Sequence, residues 1–390
     1  MINVARRMAC VCNRQIWSRG GPAVLAVLVV SAAACATPLQ DFGATLDALV
    51  PALLTRYSVP GVAVALICQG DTVWFRGYGY ADVERRKAVT ESTVFQVASL
   101  SKTVTAWGVM LLVERGVLDL DAPAERYLTR WHLPPSYFNS EGVTIRRLLS
   151  HTAGLSVRGY PGFEPTRTLP SLEQSLSGNN GGAGDVRIIQ RPGSGYLYSG
   201  GGYTLLQLII EEVTGRSFCD YMSEEILVPL GMTNSSFEWS ERVKGVTAVA
   251  YDSRMRVLPN YIFTEKAAAG LYSTATDYAR FVAAALPGPK GEPLGRGILS
   301  PDAITKLIQP TPESNRQYGL GYGIGWLSST AWYLRHSGGN RGWQSLFALA
   351  PIYDSGIVIL SNSDNSERIK YDIFDAWMHW ITTGPSCPSG

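Results

Sequence analysis

Residues 97–116, VASLSKTVTAWGVMLLVERG, decide how the rest of the chain is read. Leu100, Val104, Trp107 and Leu111 recur at i, i+4, i+7 and i+11, and residues 109–113 are apolar on nearly every side, which predicts a buried helix. Gly116 supplies its stop. The helix opens with Ser99-Leu100-Ser101-Lys102, and residues three apart share a face, so the Lys102 amine is expected within reach of the Ser99 hydroxyl. That is an activated-nucleophile arrangement. Serine needs a base, and a lysine of ordinary pKa ~10.4 serves as one near neutrality only if burial at a positive helix terminus lowers it. Ser-x-x-Lys alone is a weak signal, since a chain of this length holds about one by chance. Of the seven lysines, only Lys102 has serine three residues before it.

Working outward, residues 39–57 read as an amphipathic helix, followed by strands at 61–68 and 72–80 around a Gln69-Gly70-Asp71 turn. Residues 116–240 carry mostly helical patterns broken by Pro and Gly, with a long polar loop at 157–192. Strand patterns return at 332–336, 343–350 and 356–361, and a helix closes the chain at 366–381. Early and late strands must share one sheet. The expected fold is α/β (α+β): an antiparallel sheet flanked by helices, with an inserted, mainly helical lobe. The sheet lobe spans about 37–98 and 270–384, the helical lobe about 99–269, and 385–390 form a tail. The nucleophile helix then sits at the lobe junction, where clefts form.

Residues 1–36 read as an export signal: four arginines precede an apolar run at 22–30 and small residues ending at Cys35. The run is too short to span a bilayer. Cys35 after three alanines is similar to a bacterial lipoprotein box, which would attach the protein to a membrane through a lipid on that cysteine. Plain cleavage at Ala34 or Ala36 is the alternative. Both place the protein outside the cytoplasm, in the periplasm or cell envelope. The remaining cysteines, Cys68, Cys219 and Cys387, show no disulfide or metal spacing, and the four histidines are scattered, so chemistry without metal or cofactor is expected. A net charge of +2 gives no reason to expect a nucleic-acid partner.

Beyond the tetrad, four stretches carry a resemblance: Leu148-Leu149-Ser150-His151-Thr152-Ala153-Gly154-Leu155; Tyr198-Ser199-Gly200-Gly201-Gly202-Tyr203; Gly270-Leu271-Tyr272-Ser273-Thr274; and His336-Ser337-Gly338-Gly339. Together with Ser99 and Lys102 they resemble the penicillin-recognising serine hydrolases, in the branch of class C β-lactamases, DD-carboxypeptidases and related esterases. The resemblance implies that Tyr198 relays a proton, that the backbone N–H groups of Ser99 and Gly339 form an oxyanion hole, and that His336, Ser337 and Gly338 line the substrate site. Gly200 stands where the family has an asparagine that holds the lysine and binds amides, and His336 stands where β-lactamases have lysine. A literal Tyr137-Phe138-Asn139 precedes the His151 segment and is rejected on order.

His151 invites a Ser/His/Asp reading, but no Gly-x-Ser-x-Gly elbow occurs, and a structural role is expected for it. The expected function is metal-free serine hydrolysis through an acyl-enzyme, on esters or D-amino-acid peptides, with a class C-like β-lactamase or a non-turning-over penicillin-binding sensor as alternatives. The expected partner is a small-molecule ester, peptide or β-lactam.

Overall fold

The computed structural model describes residues 37–384; the export segment, Cys35 and the 385–390 tail lie outside them. Helix α1 (Thr37–Tyr57) leads into strands β1 (Gly61–Cys68), β2 (Asp71–Asp82) and the short β3 (Lys87–Ala88). Four late strands, β4 (Gly323–Trp326), β5 (Trp332–Asn340), β6 (Trp343–Ala350) and β7 (Ser355–Ser361), join them in one seven-stranded antiparallel sheet, ordered β3-β2-β1-β7-β6-β5-β4. The joint between early and late chain is β1 on β7, from Val62 opposite Ser361 to Cys68 opposite Ser355.

Both faces of this sheet are covered, which is why β1 is apolar at every position rather than alternating. Val62, Val64 and Leu66 point to one side and pack with α1 (Leu46, Val50) and the closing helix α6 (Glu367–Thr383), through Ile369, Ile373 and Trp377. Ala63, Ala65 and Ile67 point to the other, into the larger core that holds α2 (Ser101–Glu114) and α5 (Ala275–Ala283). Small residues there let α5 lie close against β1.

α2 is buried from Ser101 to Leu112, as its all-round apolarity requires. Against it lie α3 (Gly200–Thr214) and the four-residue α4 (Lys266–Ala269). Between Gly116 and Ser199 the only α-helices are Ile145–Leu149 and Leu172–Leu176; the rest is irregular chain pinned by polar contacts. The polar stretch at 157–192 is a folded segment. Buried Asn180 donates to Ser175 O (3.0 Å) and Gly184 O (2.6 Å), Ser175 hydrogen bonds to buried Glu265, and Phe163 bridges Ile262.

Cys68 is disulfide-bonded, while Cys219 is free. Spacing along the chain carries no information on which sulfurs meet in space.

Candidate active site

The turn carrying Ser99 is fixed from several directions. Ala98 sits at φ 50°, a left-handed conformation that costs a non-glycine residue on the order of 1–2 kcal/mol and persists only where its surroundings impose it. Ser101 Oγ donates to Ala98 O (2.6 Å) and accepts from Leu271 N (3.0 Å), the Tyr278 hydroxyl donates to Leu100 O (2.9 Å), and the Ser345 hydroxyl donates to Val97 O (2.7 Å). Ser99 therefore lies in a 3-10 turn, Ala98–Leu100, ahead of α2 rather than in the α-helix itself. The two segments run on without a break, so Lys102 still faces Ser99 one turn on.

Lys102 Nζ stands 3.2 Å from Ser99 Oγ and donates to the carbonyl of Ala268, in α4, at 2.6 Å. The side chain is 2% exposed. Burial lowers its pKa from 10.5 to about 7 because no water solvates the ammonium. The rings of Tyr198 and Tyr203 lie 5.1 and 5.8 Å from the amine and complete its enclosure. Ala268 acts through its backbone, so no side-chain pattern in the sequence could have marked it.

Tyr198 lies just before α3 and lines the larger cavity at the site together with Ser99. Burial raises its pKa to about 12, opposed by the Ser99 side chain and by the Arg158 guanidinium, 5.8 Å from its ring. The phenol is thus protonated at neutral pH. Its backbone is clamped by His151, whose carbonyl accepts from Leu197 N (2.8 Å) and whose Nδ1 accepts from Ser199 N (3.1 Å), while the imidazole packs at a tilt against the Tyr198 ring, centroids 4.3 Å apart. Burial first, then Lys102 and His336, hold His151 well below its ordinary pKa. It is a neutral packing and clamping group. Ser199 caps α3 by accepting from Gly202 N (3.0 Å), so the glycines there serve a helix start and not a phosphate cradle. Tyr137 is 99% exposed and takes no part in the site.

The β4–β5 pairing ends with Gly323 opposite Arg335, and β5 runs on beyond it, so His336 to Asn340 border the site. A Cβ on Gly338 would lie 2.6 Å from Val97 O and 3.0 Å from Ser99 N: β5 presses its backbone directly on the nucleophile turn. Gly339 and Ser99 together line two cavities, and Ser337 lines the larger. His336 Nδ1 donates to Ser337 O (2.8 Å), and burial, then Lys102, push its pKa down to about 3. Asn340, unmarked in the sequence, ties the strand end to Gln96 (2.9 Å) and Ala269 O (3.1 Å).

At Gly200 an added Cβ would meet Arg158 O at 3.1 Å and the Tyr160 ring at 3.3 Å. The 158–160 segment thus occupies the space into which a longer side chain would project. Tyr160, Gly159 and Arg158 border the site from a stretch whose irregular, polar sequence gave no sign of it. Among the described residues, no cluster of three or more His, Cys, Asp or Glu could hold a metal ion.

A serine beside a buried amine of lowered pKa and a protonated phenol, around one strand edge, is an activated-nucleophile arrangement. The chain belongs to the Beta-lactamase family, whose model matches residues 46–376. It is 27% identical to Penicillin-binding protein 4* of Bacillus subtilis over 345 residues, covering 81% of this chain and 71% of that one. It is 25% identical to Protein flp of Staphylococcus aureus over 348 residues, covering 85% of this chain, and spans 64% of that protein's length. The fold matches the octameric penicillin-binding protein homologue from Pyrococcus abyssi with a TM-score of 0.71 at 27% identity, over 86% of this chain and 76% of that one.

Proposed function

We propose that the protein is a serine hydrolase that cleaves esters or D-amino-acid peptides through an acyl-enzyme on Ser99. The observation that carries this is the Lys102 amine, 3.2 Å from Ser99 Oγ and held at a pKa of about 7 by burial. When neutral, its lone pair accepts the Ser99 proton as Oγ attacks the carbonyl carbon. Tyr198, protonated up to about pH 12, gives its proton to the leaving group and is reprotonated from the Lys102 ammonium. The wide gap between the two values supports lysine as base and tyrosine as donor. The N–H groups of Ser99 and Gly339 hold the oxyanion, each donor contributing roughly 3 kcal/mol. Water then attacks the acyl-enzyme by the same relay in reverse.

Two features favour the ester over the peptide and over amide-bearing β-lactams. The space beside Gly200 is filled by Arg158 and Tyr160, and His336 is neutral where β-lactamases place a cation. The relative named Penicillin-binding protein 4* supports β-lactam acylation as a second reading. The disulfide at Cys68 supports an exported protein, since such bonds persist in oxidising compartments. A fluorophosphonate probe tests the nucleophile: one adduct on Ser99 is expected, absent from Ser99→Ala, and undiminished labelling of that variant overturns the assignment.

A further inference from the structure

Ser99 and Gly339 stand between two cavities of very different size. The larger, about 1050 Å3, is lined by Tyr198 and not by Lys102. The smaller, about 200 Å3, is lined by Lys102, Tyr160, Ala268, Ala269 and Asn340 and not by Tyr198. Under the proposed mechanism, on which this inference rests, the side from which Tyr198 delivers its proton is the side to which the leaving group departs. The acyl group then occupies the other.

We infer that the enzyme removes short acyl groups from a large, aromatic-faced alcohol that carries an anionic group read by Arg158 and Arg335. A cavity of 150 Å3 encloses benzene, so 200 Å3 takes an acyl group of roughly eight heavy atoms. Its walls are fixed: the Tyr160 hydroxyl is bonded to Thr204 Oγ1 (2.7 Å), Asn340 to Gln96 and Ala269 O, and Lys102 to Ala268 O. It does not widen by a simple rotamer change. The large cavity presents Tyr196, Trp326, Tyr333, Tyr371 and Phe374. No aspartate or glutamate lines either cavity, and the charged side chains facing the large one are Arg158 and Arg335, both exposed at its rim. Both line the large cavity together with Tyr196. Planar guanidiniums suit a carboxylate or phosphate.

In the reaction the Ser99 Oγ–acyl bond forms as the ester C–O bond breaks. The serine proton passes to Lys102, the alkoxide takes the Tyr198 proton, and water later releases the short carboxylic acid. A peptidyl donor, with its bulk on the acyl side, fits this division poorly.

Two substrate series test the inference on the full chain. Along p-nitrophenyl acetate, butyrate, hexanoate and decanoate, kcat/KM is expected to fall at least about 30-fold between butyrate and decanoate, and Tyr160→Ala to relieve the fall. Between 6-acetoxy-2-naphthoate and 6-acetoxy-2-naphthamide, each normalised to its alkaline hydrolysis rate, the anionic ester is expected to lead by about tenfold or more in low salt. That lead should shrink in 0.5 M NaCl and approach one in Arg158→Gln/Arg335→Gln. Should the variants fail to fold, the chain-length series and the salt dependence of the wild type still decide. Equal turnover of decanoate, or no preference for the anion, overturns the inference and leaves the hydrolase reading standing. Failure of every ester to acylate Ser99 overturns both.

Discussion

At the residue scale the chemistry of the site turns on one amine. Lys102 is protonated below about pH 7 and neutral above it, so kcat/KM for an activated ester is expected to fall tenfold per pH unit below an inflection near 7. Tyr198→Phe should lower kcat/KM by about 10²–10⁴ while leaving that inflection in place, because the phenol titrates near 12. His336 and His151 are both held neutral and contribute no limb. An inflection that vanishes with Tyr198 would reassign the base. The same burial costs stability. A folded-state pKa of about 7 against 10.5 unfolded corresponds to roughly 5 kcal/mol at ~1.4 kcal/mol per decade. The sign follows from proton binding: between the two values the unfolded chain holds the extra proton, so this cost is full below pH 7 and fades as pH rises to 10.5. Lys102→Met should therefore be inactive yet melt higher than wild type at pH 6, by differential scanning calorimetry. A lower melting temperature would mean that the Ala268 hydrogen bond outweighs desolvation.

At the scale of elements, the contact of β5 with the nucleophile turn governs the site. Gly338→Ala places a methyl 2.6 Å from Val97 O and 3.0 Å from Ser99 N. It is expected to cost about 1–3 kcal/mol of stability from overpacking and at least a hundredfold in activity through displacement of the Ser99 amide, measured by urea denaturation and by ester hydrolysis. Much of this scale was legible in the sequence. The periodicity at 100–111 and its glycine stop mark α2, and apolar runs mark β1, β7 and the 346–350 half of β6, because buried elements declare themselves through composition. β4 was not legible: Gly323-Ile324-Gly325-Trp326 has the glycines of a turn, and it is a strand because β5 offers it an edge. Nor was the role of the 157–192 segment. Its contacts are backbone carbonyls and single polar side chains such as Asn180, which leave no period to read. Ser99, Lys102 and Tyr198 could be picked out because order along the chain carried them. Arg158, Tyr160 and Asn340 reach the site only through the fold.

At the scale of the whole molecule, the sheet divides the core into two layers: α1 and α6 on one face, and on the other the nucleophile helix with the irregular 116–199 chain beyond it. Ser99 lies on the layer opposite α1 and α6, and Tyr371 and Phe374 of α6 reach the large cavity at the sheet edge. Metabolic labelling with a fatty-acid analogue should tag the wild-type protein and not Cys35→Ser; an untagged mature N-terminus at Cys35 or Thr37 would establish plain secretion instead. The central claim, an acyl-enzyme that forms on Ser99 and turns over, is tested most directly by an intact-mass time course. The protein is mixed with short-chain esters and, separately, with a penicillin and a cephalosporin. With the esters a single acyl adduct should appear, map to Ser99 and decay as substrate is exhausted, while the β-lactam adduct forms more slowly. An adduct elsewhere in the chain, ester turnover retained by Ser99→Ala, or an ester adduct on Ser99 that never decays would contradict the account.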